Sequence, residues 1–398
     1  MMADTRATRR ATGQPAGPVP GTADGQAPGT ADGQEPRTGA GQDARPVTGQ
    51  DADPAPLPAG GPAVEPAVGL DVGLDVVIAT RDRPPPKLAA CLDALGRQTF
   101  RRFGVILVDD AGRDPLARRL SSFRALLPGL PVRVTRNEES IGPGASRNRG
   151  VALSAAPYIL FIDDDCVSRP ELLARHHAAL DRATGPVVSL GPILAPPGRR
   201  MPPWTHWDAD RLGREYDRLG RGESTPAWTH CYTGNLAVRR ADFRAVGGFD
   251  ERLARQEDVE LGFRLSRLGC RFAFDPAAVV WHDSDRSLRT WTRIPARSAQ
   301  FDVLIDRFVP DARRLPSIRE DLLRRHWLLR LARRLCGPPA ARRCAVTGAI
   351  GAGCLLHAVH ADRPSLAAFS LVWDLEYTHA LAEATAAAPG TPPVPRGR

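Results

Sequence analysis

Four short runs of consecutive apolar residues constrain this chain more than anything else in it: Val76–Ala79, Val105–Val108, Tyr158–Ile162 and Val187–Leu190. None alternates with polar residues, so each reads as a strand buried on both faces, the habit of parallel sheets covered by helices. Helix-like stretches lie between them, at Lys87–Arg97, Ala145–Ala155 and Pro170–Ala183, the last with a proline near its start, where a missing N–H costs little. With Val132–Thr135 as a further strand, the order predicts an α/β sheet with crossover helices. Beyond Leu190 the texture loosens: Pro196, Pro197, Pro202 and Pro203 precede a stretch bearing Trp204, Trp207 and Trp228. The pattern then resumes with a strand at Leu236–Arg239, an amphipathic helix at Glu257–Leu268 and short strands at Phe272–Phe274 and Val279–Trp281. From about Leu288 onward the chain reads as helical and Arg-rich.

The first 72 residues hold Gly, Pro, Ala, Thr and Asp with almost no large apolar side chain, and Gly21–Gln26 (GTADGQ) recurs as Gly29–Gln34. Such a segment buries too little apolar surface to offset its ordering entropy, so disorder is expected over 1–72, and again over the Pro/Gly tail 387–398. Met1–Gly13 is polar and basic with no apolar h-region, which argues against a secretory signal. Seven scattered cysteines, none spaced C-x-x-C, point to reduced thiols in a cytoplasmic, zinc-free protein. The run Ala345–Ala361 is too short and too polar to span a bilayer and reads as a packed helix. The net charge of +9 concentrates between Asp311 and Arg343, where ten arginines face three acids. There the leucines do not fall on one clean face when stepped at ~100°, which predicts a solvated Arg-rich surface, with peripheral contact to anionic membrane at the inner face as the alternative. No helix-turn-helix, zinc-finger or RNP-like signature accompanies the charge, so nucleic acid is not an expected partner.

The chemistry concentrates where strands end. In YILFIDDDC, five apolar or aromatic residues lead into Asp163, Asp164 and Asp165, at the carboxyl edge where open α/β sheets bind ligands. Strand alternation sends Asp163 and Asp165 to one face and Asp164 to the other. Two hard oxygen donors on one face suit Mg²⁺ or Mn²⁺, with room left for substrate phosphates; a solvated acidic turn is the alternative. Asp109 and Asp110 end the second strand, where one carboxylate can accept from a base edge or cap the next helix. Thr80 and Arg81 follow the first strand on the same edge. Arg147, in GPGASRNRG, is positioned to meet a diphosphate or a nearby carboxylate with its planar fork. Glu257 and Asp258 open a helix, which suits its dipole, or else Asp258 is a general base with Glu257 orienting it. His282 closes another strand, either as a structural histidine or as a further metal or phosphate ligand.

Taken in order, VVIATRDRP, VILVDDAG, SRNRGVALSAAPYILFIDDD, TGNLAVRR, VGGFDE and QEDVELGFRLSRLG resemble the inverting family 2 glycosyltransferases of GT-A fold, over roughly Asp75–Asp283. The resemblance implies a Rossmann-like, mostly parallel sheet flanked by helices over 73–287, with a helical extension over 288–386. It also implies Thr80 and Asp109 on the nucleotide and Asp163 and Asp165 on Mn²⁺ or Mg²⁺; beside these, the position of the residues themselves puts Arg81, Arg147 and Asp164 at the donor and His282 at the metal. Asp258 with Glu257 would activate the acceptor, and Gly234 and Asn235 would stand in the acceptor or sugar vicinity. The implied partners are a UDP-, dTDP- or GDP-sugar donor and a glycan, lipid-linked or small-molecule acceptor. Two departures are plain: Ala111–Gly112 stands where the family commonly has Gly-Ser, and the Q-x-x-R-W block of processive synthases is missing, which favours single transfer. A sugar nucleotidyltransferase needs a Gly-rich loop after the first strand, where this chain has Arg81–Pro86. A non-catalytic nucleotide-sugar or glycan-binding protein of the same fold is the other alternative.

Overall fold

The computed structural model describes residues 72–387 apart from 254, 310–312 and 325–326. The two expected tails, but for their innermost residues, lie outside these residues.

Seven strands form the main sheet in the order β3-β2-β1-β4-β8-β6-β9: β1 (Leu74–Thr80), β2 (Phe103–Asp109), β3 (Val132–Arg136), β4 (Tyr158–Ile162), β6 (Val187–Leu190), β8 (Asn235–Arg239) and β9 (Arg271–Phe274). Strands β1 to β4 pair in parallel, β6 is parallel to β9, and β8 runs antiparallel between β4 and β6. A small second sheet joins β5 (Cys166–Ser168), β10 (Val280–His282) and β7 (Ile193–Leu194) in the order β5-β10-β7. The sheet is thus mostly parallel, mixed and flanked by helices.

The unbroken apolar runs follow from two cores, one on each face. Leu74, Val76, Ile78, Val105, Leu107, Leu160 and Ile162 pack on Leu88, Leu92 and Leu95 of the helix Pro85–Gly96. Their chain neighbours Val77, Ile106, Val108, Ile159 and Phe161 pack on Val151, Phe243, Leu261 and Leu265 of the opposite helices. Phe161 is fully buried, with Phe243 and Phe249 ring centroids at 5.5 and 5.3 Å. Truncating such a ring costs ~3–5 kcal/mol, so the strand that delivers the acidic triplet is firmly seated.

The Trp-bearing stretch is more ordered than its prolines suggest. Pro203–Gly220 is an 18-residue helix with proline in its first turn. Trp207 stacks on Trp373 at 5.0 Å, meets Trp291 edge-on at 5.6 Å and donates to Ser370 Oγ at 2.7 Å. A third core of Trp207, Trp291, Ile294, Phe369 and Val372 therefore ties this helix to the C-terminal helices, chiefly Ile294–Phe308, Pro339–Ala358 and Asp362–Ala386.

The basic segment corrects one expectation. Within the helix Trp327–Leu335, Trp327, Leu331 and Leu335 fall inside an arc of about 80°, with Arg334 and Arg330 along one rim and Arg333 further round. The apolar edge faces outward: Trp327 is 57%, Leu331 43% and Leu335 67% exposed. Arg333 instead lines a shallow cavity with Leu315, Leu322 and Leu381. The even spread expected from the sequence came from stepping across several helices as if they were one. Among the described residues, no helix is long and apolar enough to cross a membrane.

Candidate active site

A cavity of about 660 Å³ opens at the carboxyl edge of β1, β2 and β4, as strand polarity requires. Thr80, Arg81, Arg83, Asp110, Arg147, Asp163, Asp164, Asp165 and His282 all contribute to its wall. One side is the loop after β10, where Lys87 reaches the Asp283 carboxylate at 3.2 Å and Arg286 donates to Asp208 at 2.8 Å.

The alternation expected for the triplet does not hold, because β4 ends at Ile162. The three acids lie in a turn closed by the Cys166 N–H on the Asp163 carbonyl at 3.1 Å, which releases them from the period of two. Asp164 and Asp165 instead share one cation: Arg83 donates to Asp164 Oδ1 at 2.7 Å and lies 2.9 Å from Asp165 Oδ2. Asp163, which lines the same cavity, accepts instead from Arg147 at 2.8 Å. Burial raises the Asp164 pKa against the pull of Arg83 and of the Thr80 hydroxyl. For Asp165 burial acts the same way but is outweighed by the bond to His282 and by Arg83, so its pKa is lowered. His282 Nε2 stands 3.2 Å from Asp165 Oδ1; burial disfavours its charge, and Asp165 more than compensates, so its pKa is raised.

Asp109 is not in the wall. Its carboxylate is 2% exposed and occupied by the Gly112 N–H at 2.8 Å, the Leu116 N–H at 3.1 Å and Arg136 at 2.6 Å. Consecutive side chains leave a strand in opposite directions, and the acid that reaches the cavity is Asp110. It accepts from Asn137 at 2.9 Å, Ser140 at 2.7 Å and the Ile141 N–H at 2.8 Å. Burial alone would raise its pKa; these bonds lower it. Asp110 thereby fixes the loop before the helix Pro143–Ala152, which Gly142 enters at φ +91°, a conformation that favours glycine. Arg81 closes the same corner on Ser140 Oγ at 2.7 Å.

Arg147 links the two ends of the site. It is buried over the Phe249 ring and divides its fork between Asp163 and Glu257 Oε1, the latter at 2.9 Å. Glu257 and Asp258 begin the helix Glu257–Arg267, whose N-terminus receives three acids in its first turn. Asp258 accepts from the Val259 N–H at 2.9 Å and the Thr233 N–H at 3.4 Å. Burial and the neighbouring Glu257 push its carboxyl up to about 7, while Arg147 pulls the other way. Asp258 is not part of the cavity wall; it reaches it through Arg147 and through Gly234, where an added Cβ would meet Asp163 Oδ2 at 3.1 Å.

Asn235 belongs elsewhere. It is 1% exposed, donating to the carbonyls of Pro192 and Ala278 and accepting from His176 Nε2 at 2.9 Å. With its amide nitrogen committed, the imidazole must carry its proton on Nε2 and accept from Ser189 on Nδ1. Burial lowers the His176 pKa to about 4, so the pair is a neutral strut beneath the sheet edge.

Three contributors were not singled out from the sequence: Arg83, Asp110 as the wall acid, and Asn148. The signal for Arg83 was the triplet itself, since three adjacent carboxylates demand a cation. Asn148 exchanges two hydrogen bonds with the Phe249 backbone, at 2.8 and 2.9 Å, and so holds the VGGFDE turn beside the Asp258 helix.

Residues 75–247 match the family model for glycosyl transferase family 2. A pre-mycofactocin glycosyltransferase of Mycobacterium tuberculosis is 31% identical over 198 residues, 48% of this chain and 40% of that protein. An amylovoran biosynthesis glycosyltransferase of Erwinia amylovora is 27% identical over 221 residues, 51% of this chain and 66% of that one. The chain thus spans less than two thirds of the length of these curated relatives. In fold it is similar to a mannosyltransferase of Pyrobaculum calidifontis solved in complex with GDP-Man and Mn²⁺, with a TM-score of 0.51 at 14% identity, covering 77% of this chain and 86% of that one. The acids at the strand ends, the parallel sheet that carries them and the matched sequence agree: the domain built on residues 75–247 belongs to glycosyl transferase family 2.

Proposed function

We propose that this protein moves a sugar from a nucleotide-diphosphate donor to an acceptor hydroxyl, by in-line displacement with inversion, and that Asp258 is the general base. The observation that carries the reading is a buried carboxyl, pushed up to about 7, that sits behind a cavity walled by arginines and aspartates at the carboxyl edge of the sheet. A base poised near neutral pH both holds the deprotonated form and drives proton removal. In this reading Asp258 takes the acceptor proton as the oxygen attacks the anomeric carbon, Arg81 and Arg83 face the diphosphate with planar donors, and Arg147 holds the nearby carboxylates of Asp163 and Glu257 in place. Asp110, Thr80 and the Ser140 loop frame the nucleoside. The acceptor enters beside Asp163 and Gly234, on the Asp258 side.

The donor set fits a divalent cation. Asp165 Oδ1 is buried with His282 Nε2 at 3.2 Å, Asp163 is partly exposed, and the two carboxylates and the imidazole all line the same cavity. Two carboxylates and an imidazole suit Mn²⁺, or Mg²⁺ with more water. Bound there, such an ion neutralises charge growing on the leaving diphosphate.

Asp258→Asn tests the base. Transfer is expected to fall by ~10²–10⁴, with donor binding by calorimetry unchanged; free turnover by the variant rejects the assignment. Donor binding by the wild type with neither transfer nor release of nucleoside diphosphate would favour the binding-protein alternative.

The outward ridge of Trp327, Leu331 and Leu335, rimmed by exposed Arg330 and Arg334, supports a second element of the reading. An apolar edge flanked by arginine matches the interface of an anionic bilayer. The proposed working place is therefore the inner face of the membrane, in keeping with seven free and mostly buried or half-buried cysteines. Co-sedimentation with phosphatidylglycerol vesicles, lost in Leu331→Asp and absent with phosphatidylcholine, is the expected result.

A further inference from the structure

Away from the cavity, three side chains from three helices converge on one point. His206 lies in the helix Pro203–Gly220, His357 near the end of Pro339–Ala358, and Asp362 at the start of Asp362–Ala386. One ligand atom from each falls within 4.8 Å of the other two. His206 Nδ1 is 3.9 Å and His357 Nδ1 3.3 Å from the same oxygen, Asp362 Oδ1.

The hydrogen bonding of His357 makes this more than proximity. Its Nε2 lies 3.1 Å from the Met201 carbonyl, an acceptor only, so Nε2 carries the proton. In the neutral ring Nδ1 therefore presents a lone pair, and that atom is buried and makes no hydrogen bond. It points toward a carboxylate oxygen, and a second imidazole nitrogen stands near the same oxygen. Converging lone pairs repel unless a cation joins them. An imidazole whose far N–H is held by a backbone carbonyl is also the usual arrangement of a metal-ligating histidine, since that bond fixes tautomer and ring plane.

We infer that His206, His357 and Asp362 form a zinc-type divalent metal site that staples the helix Pro203–Gly220 to the two C-terminal helices. Ligand atoms around a tetrahedral Zn²⁺ at bond lengths near 2.0–2.1 Å are roughly 3.3 Å apart, a spacing that His357 and Asp362 already have. His206 reaches it by a small side-chain rotation. Two imidazoles and one carboxylate leave a fourth position, which half-exposed Asp362 opens to water. The cysteine spacing that argues against zinc does not bear on this trio, whose ligands come from helices distant in sequence. The place is consequential: Trp207, Phe369 and Val372 of the third core lie on two of the same helices, and Ile350 of the third helix packs against it.

The test uses the full chain, stripped with EDTA and titrated with Zn²⁺ against a chromophoric chelator, with Mn²⁺ in excess to occupy the carboxylates of the cavity. One tightly bound Zn²⁺ per chain is expected, weakened at least ~100-fold in His206→Gln and His357→Gln. Zn²⁺ should raise the melting temperature of the wild type and not of these variants. In EDTA all three should melt alike, and sugar transfer with Mn²⁺ should be unchanged. Equal Zn²⁺ affinity in wild type and variants overturns the site, as does loss of the Zn²⁺ equivalent only in His282→Gln. If a variant fails to fold, Co²⁺ on the wild type decides: strong visible absorption of a four-coordinate centre supports the site, and a weak six-coordinate spectrum overturns it.

Discussion

Two arginines each span two acids in the cavity, and their settings differ. Arg83 bridges Asp164 and Asp165 with its side chain 29% exposed; Arg147 bridges Asp163 and Glu257 with 7% exposed. Arg83 follows β1 on a loop and has water as an alternative partner. Arg147 sits on a helix against Phe249 and has none. An ion pair that water can replace contributes little to stability and is free to change partners, whereas a buried charge that loses its partner is costly. The comparison assigns different tasks to similar geometry. Arg147 is a fixed strut that holds Asp163 and Glu257 at a set distance, and under the proposed function Arg83 is the cation that passes from carboxylates to an incoming diphosphate.

Removing Arg147 is the largest way to break that contrast. Arg147→Met leaves Glu257 buried and Asp163 facing it without a cation, an expected loss of ~3–5 kcal/mol. In a domain of this size that is a fall of roughly 10 °C in Tm, readable by calorimetry. Arg147→Lys keeps the charge without the fork and should recover part of the loss. If Arg147→Met melts within a degree or two of wild type, the strut reading fails.

The next effect sharpens the contrast through pH. With the Asp258 carboxyl at about 7, kcat/KM should rise with pH and level off above that value. Arg147 favours the ionised carboxylate, so in Arg147→Met the limb should move to higher pH and in Arg147→Lys stay near 7. The same shift has a stability sign. Asp258 holds its proton in the folded state above the 3.8 at which it otherwise ionises. The folded state therefore binds the extra proton between that value and 7, and stability falls as pH rises through this window. Asp258→Asn should accordingly melt above wild type at pH 8 while losing transfer, and a lower Tm at that pH would contradict the raised pKa.

What the sequence made legible follows from what each residue needs. The strands were readable because each lies between two cores, so their apolar runs are unbroken: Tyr158–Ile162 and Val187–Leu190 match the observed bounds. The wall acids could be placed on one sheet edge for the same reason. Side-chain direction was not readable past the strand end, which is why Asp163 and Asp165 were paired while the structure pairs Asp164 with Asp165. Asp109 and Asn235 look functional by position but saturate backbone groups, and only coordinates reveal that. The helix Pro203–Gly220 was hidden by prolines that sit in its first turn rather than its interior, and its aromatic partners lie up to 166 residues further along the chain.

Arg83 carries the smallest stability effect and the most diagnostic one for the comparison. Arg83→Ala removes a cation from Asp164 and Asp165, which are 4% and 5% exposed, but Arg83 itself is 29% exposed and its loss opens the pair to water, so the fall in Tm should be smaller than for Arg147→Met. If its guanidinium is the cation that passes to the diphosphate, donor KM rises about tenfold, equivalent to ~1.4 kcal/mol, with kcat little changed. Mn²⁺ binding measured without donor should then tighten, because Asp165 no longer shares its charge with Arg83. A variant with unchanged donor KM and weaker Mn²⁺ binding would mean that Arg83 positions the acids instead, and the two arginines would differ only in burial.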